Sequence, residues 1–124
     1  MSSEKSILNE TLVALSALPK TIVWRNNTGQ AWQGLRITPP VGTKITVTHD
    51  MIILKNARPV RFGLPGSGDI LGTSNGIPLS VEIKTLTGRQ ARVQKNFQDR
   101  WSACGGKYIL GRSPETVLSQ IETY

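Results

Sequence analysis

The segment Leu79-Ser80-Val81-Glu82-Ile83-Lys84 constrains this chain more than any other. Its strict alternation is the period of a β-strand, with Leu79, Val81 and Ile83 on one face and Ser80, Glu82 and Lys84 on the other. A helix is expected next, with Thr87 at the N-cap and Gln90 three residues on completing a capping box. Its apolar stripe is Val93, Phe97, Trp101 and Cys104, and Gly105-Gly106 stops it. Lys107-Tyr108-Ile109-Leu110 then reads as another strand. Strand, helix, strand in that order requires a sheet with a helix packed on it.

The flanking segments extend this pattern. Glu4 to Leu18 reads as an amphipathic helix closed by Pro19, with Leu8, Leu12 and Leu15 within about 60° of one another. Glu4 lies on that apolar side and Glu10 almost opposite. Thr21 to Trp24 is a short strand, followed by a turn at Asn26-Asn27-Thr28-Gly29. Trp32 to Ile37, Lys44 to Thr48 and Met51 to Leu54 have strand character, punctuated by Pro39-Pro40, Gly42 and His49-Asp50. Val60-Arg61-Phe62 leads into the glycine-rich stretch Gly63 to Gly68. Asp69 to Gly72 resumes a strand, and Thr73 to Pro78 is a connecting turn. Ser113-Pro114-Glu115 starts a last helix with Val117, Leu118 and Ile121 on its apolar side. The expectation is a single α/β or α+β domain over 1–124.

Composition narrows the classes of function. A chain of 124 residues with 38% hydrophobic and 19% charged residues can bury one core and lacks the signature of disorder. Its formal charge of +7 points to a polyanion such as nucleic acid, or to a protein that is simply basic. The lone Cys104 makes no internal disulfide, and with the lone His49 it excludes zinc sites of the finger or ribbon kind. No apolar run is long enough for a bilayer, and Met1-Ser2-Ser3-Glu4-Lys5 shows no secretory hydrophobic region. A soluble, cytosolic chain is expected.

Two familiar glycine motifs fail. Gly63 and Gly68 have the spacing of a Walker A loop, but Asp69-Ile70 stands where Lys-Ser/Thr is needed, and an acid there repels phosphate. Gly66-x-Gly68 lacks the third glycine of a dinucleotide fingerprint. The informative set is Asp69 with Glu82 and Lys84. Glu82 and Lys84 project from one face about 6–7 Å apart. If the strand opened by Asp69 is their neighbour, both carboxylates converge on one hard cation, and oxygen donors with retained waters suit magnesium. Lys84 beside them would hold a water nucleophile or neutralise charge on a phosphoryl oxygen. The alternative is an exposed Glu–Lys strand face with a turn aspartate, worth little energetically.

The wider context resembles one family. Glu4-x-x-Ile7, Trp24-Arg25-Asn26-Asn27-Thr28-Gly29, Arg61 to Ile70, Val81-Glu82-Ile83-Lys84, Thr87-Gly88-Arg89-Gln90, Gln94 and Gly105-Gly106-x-Tyr108 together resemble VRR-NUC proteins. These belong to the PD-(D/E)XK nuclease superfamily, here in its small stand-alone phage and prophage form. The resemblance implies a restriction-endonuclease-like core, an αβββαβ mixed sheet flanked by helices. Gln30 to Pro59 departs from it, being longer than the direct link typical of compact members, and reads as an extra hairpin-like insertion around residues 30–59. Leu8 departs from the family, many of whose members carry glutamine there.

The same resemblance implies a divalent-metal-dependent DNA endonuclease. Magnesium or manganese would be held by Asp69, Glu82 and the Ile83 backbone carbonyl, with Glu4 contributing through a water. Lys84 would assist the attacking water, and Gln94 would fix the site or a scissile phosphate. It further implies a homodimer acting on branched DNA such as Holliday junctions, in the cytoplasm of a bacterial or phage-infected cell. The alternative is a non-catalytic DNA-binding module on a nuclease-like fold. Glu4 otherwise complements its helix N-terminus, and Gln94 otherwise borders an apolar stripe.

Arg25, Asn26 and Arg89 are candidate DNA contacts, the first two equally well read as turn residues. Arg92 and Arg100 join Arg89 either on a DNA surface or on a solvated helix face. Trp24, Phe97 and Trp101 fall at core positions, Trp32 is the aromatic to watch, His49 reads as a turn residue and Cys104 as a buried small hydrophobe.

Overall fold

A computed structural model describes residues 3–121; Met1 and Ser2, part of the segment read for a leader, lie outside them. The fold is mixed α/β, with three helices and a four-stranded mixed sheet. The chain divides into two compact units, one formed by Met1–Thr28 with Gly63–Tyr124 and the other by Gly29–Phe62.

The first unit begins with α1 (Glu4–Ser16), whose N-cap Ser3 accepts the Ser6 amide through its hydroxyl at 3.1 Å. Four strands follow: β1 (Thr21–Arg25), β4 (Ile70–Ser74), β5 (Ile77–Ile83) and β6 (Lys107–Gly111). They lie in the order β1-β4-β5-β6. β1 runs antiparallel to β4 and β4 to β5, whereas β6 is parallel to β5. The parallel pair is joined through α2 (Arg92–Ala103), the crossover that a parallel connection requires. The unit ends in α3 (Pro114–Ile121), where the Ser113 hydroxyl accepts the Thr116 amide at 3.2 Å.

The alternation of β5 becomes two interfaces. Leu79, Val81 and Ile83 pack with Ile70, Ile109, Ile7, Leu8 and Leu15 of α1, and Val117 and Ile121 of α3. The opposite face of β5 is also closed: Ser80 is fully buried and Glu82 is 5% exposed. A strand buried on both faces is ordinary where helices cover a parallel pair, but a carboxylate inside one is costly.

The second unit is a ribbon of β2 (Gly29–Arg36) and β3 (Leu54–Phe62), paired antiparallel. An extra residue in β3 between the Gln33 and Leu35 positions makes a bulge, with Asn56 at φ 55. Gly34 is needed there, because a Cβ would stand 2.9 Å from the Lys55 carbonyl oxygen.

Several expectations change. Lys44 to Thr48 alternates but forms no strand, since the described backbone offers it no ladder partner and a strand exists only when paired. The connecting turn read at Thr73 to Pro78 narrows to Asn75-Gly76, because β4 runs to Ser74 and β5 starts at Ile77. Helix α2 starts at Arg92, not after Thr87. Trp24 is 54% exposed because it lies with the exposed Ile22 on the face of β1 opposite Val23, which packs on the core, and Val93, at 47%, and Cys104 face outward rather than into the core. Phe97 is buried and stacks on Trp101 with centroids 5.3 Å apart. Among the described residues no helix is long and apolar enough to cross a membrane.

Candidate functional site

The hairpin between β4 and β5 turns at Asn75 and Gly76, both at positive φ (51 and 79), as a two-residue primed turn demands. That turn pairs Ser74 with Ile77 and, four steps on, Ile70 with Val81. Continuing the register by one residue sets Asp69 across from Glu82. The two acids are thereby brought together, and Asp69 Oδ2 accepts the Ile83 amide at 2.8 Å.

The glycine stretch before Asp69 is a packed bend rather than a phosphate cradle. Gly66 adopts φ 82, and a Cβ on it would lie 2.2 Å from the Val93 carbonyl oxygen in α2. Gly68 donates its amide to Ser80 Oγ at 3.1 Å, and a Cβ there would approach that oxygen to 2.5 Å. Asn26 closes the bend from the β1 side. Its side-chain amide donates to Ser67 Oγ at 2.8 Å and to the Gly68 carbonyl at 2.9 Å, and its backbone amide donates to the Asp69 carbonyl at 2.8 Å. Asn26, a candidate DNA contact by sequence, is thus engaged in holding Asp69.

Glu82 sits among three groups. Gln94 Nε2 donates to its Oε1 at 2.6 Å, and the Lys84 ammonium lies 3.8 Å from the same oxygen. Burial, reinforced by the negative charge of Asp69, pushes the Glu82 carboxyl up to about 8 despite the opposing pull of Lys84. Glu4 at the start of α1 also acts on Glu82 through its charge, in the same direction as Asp69. Glu4 is solvent-exposed, as is Glu10. The Gln94 oxygen accepts the Ala91 amide at 2.8 Å, so one side chain both caps α2 and reaches the carboxylate.

Asp69, Glu82, Lys84, the Ile83 backbone and Gln94 are therefore clustered. Arg25 and Arg89 are exposed. Arg25 precedes Asn26 at the end of β1, and Arg89 follows Gly88 in the loop after β5. Among the described residues no group of three or more His, Cys, Asp and Glu side chains is placed to hold a metal ion.

Sequence reasoning missed two supports. Arg112, just past β6, donates from Nη1 to the carbonyls of Thr85 and, at 2.7 Å, Gly88, pinning the loop that follows Lys84. Gln90 donates to Gln98 Oε1 at 2.9 Å and to the Tyr108 hydroxyl at 3.1 Å, tying the entrance of α2 to β6. A lone arginine or glutamine in a loop carries no local pattern that announces such bonds. No protein-family model matches the chain, and no curated protein matches it.

Proposed function

We propose that this protein is a divalent-metal-dependent DNA endonuclease of the VRR-NUC kind, with a restriction-endonuclease-like core. The observation that carries the reading is the meeting of Asp69 and Glu82, with the Lys84 ammonium 3.8 Å from Glu82 Oε1. Support also comes from the element order of the first unit, a helix, three antiparallel strands, then a crossover helix and a parallel strand, with Glu82 on one central strand and Asp69 immediately before the other. The formal charge of +7 suits a polyphosphate substrate.

The donor set fits magnesium or manganese. Two hard carboxylates meet with the Lys84 ammonium 3.8 Å from Glu82 Oε1, and a bound cation would oppose the burial that pushes the Glu82 carboxyl up to about 8. Asp69, Glu82 and the Ile83 carbonyl would hold the ion, with Glu4 contributing through a water. Such an ion supplies a lowered pKa for water and charge neutralisation at the phosphoryl oxygens.

The chain's own residues do the rest. Lys84, with its side chain mostly buried, presents an ammonium that orients the attacking water and balances charge growing on the phosphate. Gln94 fixes the Glu82 carboxylate by holding its Oε1. The Ile83 amide does the same for Asp69. Arg25 and Arg89 would meet flanking phosphates. A homodimer, with two such sites related by a two-fold axis, matches the symmetry of a four-way junction, and cytoplasmic DNA of a bacterial or phage-infected cell is the expected target.

The test incubates the protein with linear, nicked, flap and four-way-junction DNA in magnesium or in chelator. Metal-dependent cuts, strongest on the junction and lost in Asp69→Asn and Glu82→Gln, support the proposal. DNA that is retarded but left intact by the wild type in magnesium favours a non-catalytic DNA-binding module instead.

A further inference from the structure

The β2–β3 ribbon has no part in the chemistry above, yet its surface is unusual. A two-stranded ribbon is at best marginally stable alone, and here every residue of β2 is exposed. Trp32 is 64% exposed, Leu35 65%, and Val41 fully so. The ribbon and its loop carry Arg36, Lys44, Lys55, Arg58 and Arg61 against the single acid Asp50, which lies 3.4 Å from His49. Among the described residues none of these five cations forms a salt bridge.

The register distributes these groups over both faces. Gln30 pairs with Arg61, Trp32 with Pro59 and Arg36 with Leu54, so one face presents Trp32 between two arginines. The other carries Phe62, Arg58, Leu35 and Lys55. Apolar and cationic side chains alternate, and neither face is a continuous apolar surface of the sort two protein chains bury. A second copy would bring the same excess of positive charge. A polyanion is the complementary partner.

We propose that the Gly29–Phe62 ribbon is a duplex-DNA-binding arm, in which Arg36, Lys44, Lys55 and Arg61 neutralise phosphates and Trp32 with Pro39-Pro40-Val41 supplies apolar contacts to the bases. The dimensions suit this role: eight residues of strand extend about 26 Å, and the major groove admits a two-stranded ribbon. The Pro40–Thr43 turn, closed by a 3.1 Å hydrogen bond and with Gly42 at φ 92, holds Val41 outward. In the major groove apolar side chains contact the thymine methyl groups. The choice of DNA as the polyanion rests on the function proposed above, whereas the arm itself is argued from charge and register.

The test measures binding of the full-length protein to a 30-base-pair duplex (about three helical turns) in chelator, so that cleavage plays no part, across a range of salt concentrations. The variant Arg36→Gln/Lys44→Gln/Lys55→Gln/Arg61→Gln changes only exposed side chains. It is expected to weaken binding at least 10-fold and to lower the slope of log affinity against log salt by about 3.6. Trp32→Ala is expected to weaken binding roughly 5-fold with the slope unchanged. Affinity within 2-fold of wild type and an unchanged slope in the quadruple variant overturn the proposal. So does a drop in molar mass by light scattering with DNA affinity per protomer preserved, which would make a second copy the arm's partner. Arm-dependent binding by a protein that cuts no DNA keeps this inference and removes the nuclease; cutting with arm-independent binding does the reverse.

Discussion

Gln94 bonds to Glu82 across the interface between α2 and the sheet, 2.6 Å from nitrogen to oxygen, while its own oxygen takes the Ala91 amide. A carboxylate at the centre of the site is thereby oriented by the first turn of a helix, and that helix is started by a residue that serves the site. Gln94→Ala breaks both bonds. It should lower metal-dependent cleavage by about 10–100-fold and cost about 1 kcal/mol of stability. Gln94→Glu should be worse for cleavage than alanine, because it adds a third acid beside Asp69 and Glu82. Cleavage rates and denaturant unfolding check both.

Stability of the metal-free protein should fall as pH rises from about 4.5 to about 8. Glu82 is raised from 4.5 to about 8 by burial and by Asp69, so between those values the folded chain binds a proton that the unfolded chain has released. Folding is therefore linked to proton uptake, and the advantage is lost as pH climbs through the folded-state value. Thermal melts in chelator should show this decline in wild type and a flatter profile in Glu82→Gln. Magnesium, which competes with that proton, should raise Tm more at pH 8 than at pH 6.

Gly68→Ala is expected to destabilise by about 1–3 kcal/mol, since its Cβ would meet Ser80 Oγ at 2.5 Å and the Val81 carbonyl oxygen at 2.7 Å. The displaced backbone carries Asp69, so cleavage should fall further than stability explains. Pairing the substitution with Ser80→Ala or Ser80→Gly relieves only the first contact and should restore part of the stability, read by thermal melts.

Arg112→Ala should release the loop after Lys84 by removing the guanidinium from both carbonyls, leaving that of Thr85 with the Gly88 amide alone. A loss of about 2–3 kcal/mol is expected for charge-assisted bonds of this kind. Faster amide exchange at residues 85–91, with the α1–α3 side of the sheet unchanged, is the signature. Arg112→Lys should recover little, because one ammonium cannot repeat the guanidinium's reach to two carbonyls.

The strand at Leu79 to Lys84 was legible because its alternation is a backbone property that packing preserved. The meeting of Asp69 with Glu82 was legible only as a condition on strand neighbours, although Asn75-Gly76 held the missing information. A two-residue turn there fixes the hairpin register, and counting back from it reaches Asp69 opposite Glu82. The start of α2 was misplaced because Thr87 and Gln90 form a good local capping signal that tertiary bonds override. Arg112 holds Thr85 and Gly88 in a loop, Gln90 is drawn to Tyr108, and the helix begins where Gln94 can serve Glu82. Trp24 has the look of a core residue, but no local pattern says that the core takes Val23 and leaves the other face of β1 exposed. The pairing of β2 with β3 was hidden by a bulge, which breaks the count that strand reading depends on.

Thr28 and Gly63 are the residues between which the ribbon leaves the first unit and returns, and they touch: a Cβ on Gly63, at φ 76, would lie 2.6 Å from Thr28 Cγ2. An insertion whose two ends are already side by side makes no demand on the strands that carry the acids. It can be shortened to a tight turn, lengthened, or exchanged for another ribbon while Asp69 and Glu82 keep their places. The proposed arm can thus be re-engineered independently of the Asp69–Glu82 pair.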